Sequence, residues 1–507
     1  MKKTKILSAL VASMIVSLAF FSCDDKEDDM DPVVEMPGMA PDVSFTALTS
    51  DNKILMFDAR SLSTPTNSID IMGLASGEMI VSIDYRPATG QLYALSSMSR
   101  LYHINENSGM ATALGTGAFT PAYQGANPSL DFNPTVDRVR LVTESGQNLR
   151  LHPELGTVVA TDGSINGGMN PRIGAVAYSN SFSGTTMTTL FDIDFEQDKL
   201  YKQVPPNDGG LEEVGPLGVD FEGLGDMDLN PDNSVALAVN RKEDESRLYT
   251  IDLTSGKAMW VGTFSQPVVS IAFKTNPIAY ATDAANKLYR FDPTNPSPIA
   301  VDITGLQDGE KIVGLDFRPV NGQLLAISSM SQLYSVNPSS GAVTAIGSPL
   351  VPAAMGAYIG FDFNPTVDRI RLITETGQNL RLHPDLGTVV AVDGSLNPGT
   401  PMASGAAYTK SFAGTTSTAL FVVDAQNDRL YQVSPPNDGV LVEVGSLGID
   451  LADDNGFDIG GTSDMAYGVF TVGSTSGVYS VNLMTGAASK VSDLNFTPIS
   501  MALGLGF

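Results

Sequence analysis

The sequence predicts an all-β protein, a β-propeller of ten four-stranded blades. Three observations predict it. The body of the chain is one unit written twice, each copy carries a weaker internal period of about 45 residues, and each period divides into four short alternating apolar stretches. No helical 3.6-residue rhythm persists for a dozen residues, whereas alternating runs bounded by Gly, Pro, Asn and Ser are strand signals.

The doubling is plain. DFNPTVDRVRLVTESGQNLRLHPELGTVVATDGS at 131–164 returns as DFNPTVDRIRLITETGQNLRLHPDLGTVVAVDGS at 362–395, with five differences, all conservative except Thr161 against Val392. GLASGEMIVSIDYRP upstream matches GLQDGEKIVGLDFRP, and KLYKQVPPNDG downstream matches RLYQVSPPNDG. Inside a copy, the opening strands align as SIDYRP, SLDFNP, AVAYSN, DMDLNP and SIAFKT. Their third positions hold Asp84, Asp131, Ala177, Asp228 and Ala272, and in the second copy Asp316, Asp362, Ala407, Asp458 and Ala502. A single block then reads as VSIDYRP, QLYALSS, RLYHINE and ATALGTG.

The ends imply ring closure. The first block begins at FTALTS, already a second strand, and the chain finishes with ISMALGLGF, a surplus first strand that can pair with the first blade and remove two open edges. VVSIAF at 268–273 can close the first copy in the same way. Two five-bladed rings, 44–273 and 274–507, are therefore expected, since a unit of this size is near where chains split into separate cores. One ten-bladed ring is the alternative, favoured by the short link Lys274 to Pro277.

Residues 1–22 run from Lys2, Lys3 and Lys5 through an apolar stretch, too short to span a bilayer comfortably, to Cys23. This resembles the signal peptide and lipobox of bacterial lipoproteins, which implies lipidation at Cys23 and a membrane contact through that anchor. An uncleaved N-terminal helix is the alternative. Cys23 is the only cysteine, so once acylated it leaves no disulfide, thiolate metal site or thiol nucleophile. Residues 23–43 are acidic and proline-bearing and read as a disordered tether. The acid-rich run beside the cysteine resembles the surface-export signal of Bacteroidetes lipoproteins. That implies an outer-membrane lipoprotein exposed at the cell surface, with the periplasmic face as the alternative.

Loss of residues 1–22 removes three lysines and no acid, taking the formal charge from −27 to −30. So acidic a surface repels nucleic acid and anionic headgroups; most of the charge reads as solvation.

The string DFNPTVDRxRLxTExGQNLRLHPxLGTVVA, with RPxxGQLxAxSS upstream, resembles the bacterial domain-of-unknown-function 4394 family over both copies. The resemblance implies propeller-like repeats in exported proteins and brings no activity or catalytic residue with it.

Two groups of residues can carry chemistry. Opening strands crowd the propeller axis, so Asp84, Asp131 and Asp228, and likewise Asp316, Asp362 and Asp458, converge as carboxylates able to bind calcium or act as acid and base. The competing reading has each Asp fix a turn by accepting backbone N–H bonds. In the hairpin DRVRLVTESGQNLRLHP, a two-residue Ser-Gly turn pairs Thr143 with Asn148, Leu141 with Arg150 and Val139 with His152. Asn148, Arg150 and His152, and in the second copy Asn379, Arg381 and His383, then share a face able to take a carboxylate or glycan. The competing reading pairs Arg150 internally with Asp137 or Asp131. The cluster Asp192, Asp194 and Asp198 is not reproduced closely in LFVVDAQNDRL and reads as a solvated face.

Enzyme signatures are otherwise missing: no zinc spacing, nucleophile elbow, phosphate loop or dinucleotide fingerprint. The leading expectation is a binding or scaffold module for a glycan or protein ligand. A propeller hydrolase or lyase acting on polysaccharide through the axial aspartates is the alternative.

Overall fold

A computed structural model describes residues 37–507. The expected signal segment, Cys23 and most of the acidic tether lie outside the described residues.

The described chain forms ten four-stranded antiparallel sheets. The repeated alternation explains them: the first and second strands of a blade are buried on both faces, whereas an outer strand such as Thr157–Thr161 (TVVAT) alternates exposed and half-buried. Apolar side chains of adjacent blades fill the space between sheets. Tyr93, Leu95 and Leu101 of one blade pack on Phe132, Val139 and Leu141 of the next, with Tyr93 and Phe132 edge to face at 5.0 Å.

Closure takes the two-ring form. In the first ring, Val268–Ala272 pairs antiparallel with Ser44–Thr49, and Ala47 sits opposite Ile271. In the second, the last strand, Pro498–Leu503, pairs with Ala279–Asp283, the first blade of the second copy. The final segment therefore does not return to the strand of Phe45, as a ten-bladed ring would require. Each inner strand packs against the next and the fifth against the first, giving two closed circuits of five.

The short link works because the rings press on each other. Tyr280 Oη donates to the Ala88 carbonyl at 2.9 Å, Arg86 Nη1 to the Gly322 carbonyl at 3.0 Å, and the Gly506 amide to the Thr89 carbonyl at 2.9 Å. Gly506 is demanded by this approach, since a Cβ there would meet the Gly90 carbonyl oxygen at 2.0 Å.

Candidate functional site

The six expected axial aspartates do converge, three in each ring. One oxygen from each of Asp84, Asp131 and Asp228 lies within 4.8 Å of the others, and Asp316, Asp362 and Asp458 repeat the arrangement; all six are buried. Their local role follows from the strand they open. Asp84 Oδ1 accepts the Tyr85 amide at 2.7 Å, while Oδ2 accepts the Phe132 amide of the next blade at 2.7 Å. Asp131 accepts the Tyr178 amide at 3.1 Å, and Asp228 accepts those of Leu229 at 2.6 Å and Phe273 at 2.5 Å. Asp316, Asp362 and Asp458 hold Phe317 and Phe363, Tyr408, and Ile459 and Leu503 in the same pattern. Each carboxylate thus bonds an amide of the neighbouring blade, stapling sheet to sheet round the axis.

Burial pushes these carboxyls up: Asp228 to about 8 and Asp458 to about 7, with Asp84, Asp131, Asp316 and Asp362 raised by burial and by the charge of the neighbouring aspartates. Hard oxygen donors suit calcium in kind, but these oxygens already accept backbone amides, so a cation would compete with the bonds that join the blades. Carboxyls that share protons and bond amides fit this donor set better.

The hairpin differs from expectation by one residue. Asn148 lies opposite Val142, Leu149 opposite Leu141 and Arg150 opposite Arg140. The cause is the turn. The Thr143 amide donates to the Gln147 carbonyl and Gly146 adopts φ +81°, so three residues rather than two make the loop. The shift places Arg140 beside Arg150, and Asp162 answers both: Arg150 grips it through Nε and Nη2 at 2.7 and 2.9 Å, and Arg140 Nη1 reaches it at 2.6 Å. The internal ion pair is realised with Asp162 in place of Asp137 or Asp131. Asn148 joins the network, accepting from Arg140 at 2.7 Å and donating to the carbonyls of Gly163 and Pro206. His152 stays out of it; its Nδ1 accepts the Glu154 amide at 3.3 Å, and burial pulls its pKa down to about 4. Asn379, Arg381 and His383 repeat these contacts, with Asp393 in the role of Asp162.

The sequence reading missed three features. Arg140 and Asp162 were hidden by the one-residue slip. Asp137, in the turn before that hairpin, pairs with the fully buried Arg86 of the preceding blade, whose signal was the YRP motif at the strand's end. The third is a correction: Asp192 and Asp194 are buried, not solvated. Asp194 accepts the Arg172 and Glu196 amides at 3.0 and 2.9 Å, and the half-buried Asp198 accepts the Phe221 amide. Neither oxygen of Asp192 has a hydrogen-bond partner, and burial holds its carboxyl well above the usual range.

One axial end distinguishes the rings. In the first, Met79, Ile80, Val81, Pro128, Leu224 and Val269 line an apolar pocket of about 180 Å³. In the second, Lys311 and Asp454 stand where Met79 and Leu224 stand in the first, with Tyr358 and Asp453 near Asp454.

A family model described as "Domain of unknown function (DUF4394)" matches residues 53–272 and again 287–502. No curated protein matches the chain. Among solved structures, one titled "Structure of Dos1 propeller" aligns with 66% of this chain and 90% of its own at 11% identity, with a TM-score of 0.26.

Proposed function

The chain belongs to the DUF4394 family, in two tandem copies, and from that premise we propose that it is a lipid-anchored binding module that holds two rigid propellers off the outer membrane to engage a glycan or protein ligand. The family description brings no activity, and a fold does not imply one.

One observation carries the reading: the converging carboxylates are engaged by backbone amides of the adjoining blades. Glycoside hydrolysis instead needs two carboxyls about 5 to 9.5 Å apart, flanking a substrate. Buried axial acids that staple blades favour a rigid display scaffold over that chemistry. The Arg150 and Arg381 guanidiniums, held by Asp162 and Asp393, favour the same reading. Binding then falls to the loops and ring mouths, where the two copies differ.

Anchoring rests on the Lys-flanked apolar leader ending at Cys23 and on the acidic run that follows it. Palmitate labelling of expressing cells tests it. Label is expected on the wild type and absent from Cys23→Ala; label retained by the variant overturns lipidation. Protease shaving of intact cells is expected to release the propeller body, and full protection overturns surface display. For binding, purified residues 37–507 are applied to an array of glycans and host proteins. Saturable retention without product formation is expected, whereas cleavage of a retained polysaccharide overturns the binding reading in favour of a hydrolase or lyase.

A further inference from the structure

Arg290 is the strongest anomaly in this acidic molecule. It lies on Lys287–Phe291, the third strand of the second ring's first blade, is 4% exposed, and has no carboxylate within ion-pair distance among the described residues. Its Nη1 donates to the carbonyls of Pro338 and Ser339 at 3.3 and 3.0 Å, and its Nε is buried without a partner. A buried guanidinium normally has an anion at its fork, because desolvating an unpaired charge is costly.

Arg290 lines a cleft of about 280 Å³ between the rings, closed on the other side by Phe182 and Ser183 of the first ring. The loop lies close over the guanidinium: a Cβ on Gly184 would stand 3.5 Å from Nε. A second residue lining the cleft also carries an unanswered polar atom. Thr275, in the link between rings, is 5% exposed and its Oγ1 has no hydrogen-bond partner. Asn276, Asn295 and Asp292 complete a wall of amides and a carboxylate suited to hydroxyl groups. The feature belongs to one copy alone, since Met56 occupies the equivalent position in the first ring.

We propose that this inter-ring cleft is a binding site for a hydroxylated carboxylate of monosaccharide size, an acidic sugar of the uronic type. The carboxylate meets the guanidinium of Arg290, the hydroxyls meet Thr275, Asn276, Asn295 and Asp292, and the volume admits about one sugar ring. The inference rests on the binding-module reading and names a pocket and a ligand class for it.

Titration calorimetry of residues 37–507 with sodium glucuronate, glucose and acetate tests it. Saturable glucuronate binding is expected, weaker for acetate and absent for glucose. Arg290→Met, which installs the side chain the first ring uses at this position, is expected to weaken glucuronate at least about tenfold without lowering the melting temperature. Should that variant fail to fold, Thr275→Val is expected to weaken binding by about fivefold. No saturable glucuronate binding, equal affinity for acetate, or unchanged affinity in a folded Arg290→Met overturns the cleft. Retention of a neutral glycan or a protein on the array, with no saturable glucuronate binding, overturns the cleft while leaving the module reading intact; a blank array with no glucuronate binding overturns both.

Discussion

The two rings share their strand order, their closing strand and their axial aspartates, yet they fill their axes differently. Two residues before the aspartate position, the first ring carries Ser82, Ser129, Ala175, Asp226 and Ser270; the second carries Gly314, Gly360, Gly405, Gly456 and Ser500. In the first ring this layer is a hydrogen-bonded plug. Ser129 donates to Asp226 at 2.8 Å, Ser270 donates to its other oxygen, and both serines accept amides of adjacent blades, from Val176 and Ile83, at 3.0 Å. In the second ring the strands close in until glycine alone fits: a Cβ on Gly360 would lie 2.5 Å from the Ala406 Cβ. The same fold therefore tolerates a polar plug or a glycine constriction at its axis. What both copies keep is the set of carboxylate staples and the Arg-Asp hairpin network, which marks these as the parts that hold the ring together.

If that division is right, breaking a shared part must hurt both rings equally. Asp162→Asn leaves the buried Arg140 and the half-buried Arg150 without their anion, and Asp393→Asn does the same to Arg371 and Arg381. Each is expected to cost about 3–5 kcal/mol in chemical denaturation. A loss confined to one ring would show that the networks are not equivalent.

Parts that differ must respond unequally, and pH separates them. Asp226, present only in the first ring, has its carboxyl pushed up to about 7 by burial. A folded-state pKa above the unfolded one means that the folded protein holds a proton the unfolded chain has released. The stabilisation is full below the unfolded value near 4 and is lost as pH rises to about 7. In chelator, stability is therefore expected to fall from pH 5 to 7, and Asp226→Asn to reduce that slope by about 1.4 kcal/mol per pH unit. An unchanged slope would remove Asp226 as a proton holder.

Asp192 sharpens the comparison further, because the second ring places Val422 at that position. A buried carboxyl with both oxygens unanswered bears a desolvation cost that the nearby Arg140 charge offsets only in part, and Asp192→Val is expected to raise stability by about 1–3 kcal/mol. The gain should grow with pH, since burial has raised the carboxyl it removes. A destabilised variant would mean that Asp192 has a partner in solution.

How much of this was legible in the sequence depends on range. The blades were readable because period-2 alternation and turn residues are local, and the axial aspartates because a period near 45 residues brings like positions to one axis. The partner of Arg150 was not, because a single residue in the turn at Ser145 and Gly146 decides the register and with it every cross-strand neighbour. Asp192 was misread for the same reason: an acid on a strand looks solvated until the next blade is known to cover it. Arg290 gave no signal beyond its difference from Met56, since its cleft exists only where two rings meet.

The smallest expected effect concerns calcium. Ring closure places three carboxylates at each axis, donors of the kind a calcium ion takes. Both oxygens of Asp84 and Asp228 already accept amides, so a cation would have to share lone pairs with the bonds that join the blades. With protons taking that place, millimolar calcium at pH 7 is expected to leave the melting temperature where chelator leaves it, in wild type and in Asp131→Asn alike. A rise with calcium that Asp131→Asn abolishes would put a cation on the first ring's axis, and the same result with Asp362→Asn would extend it to the second.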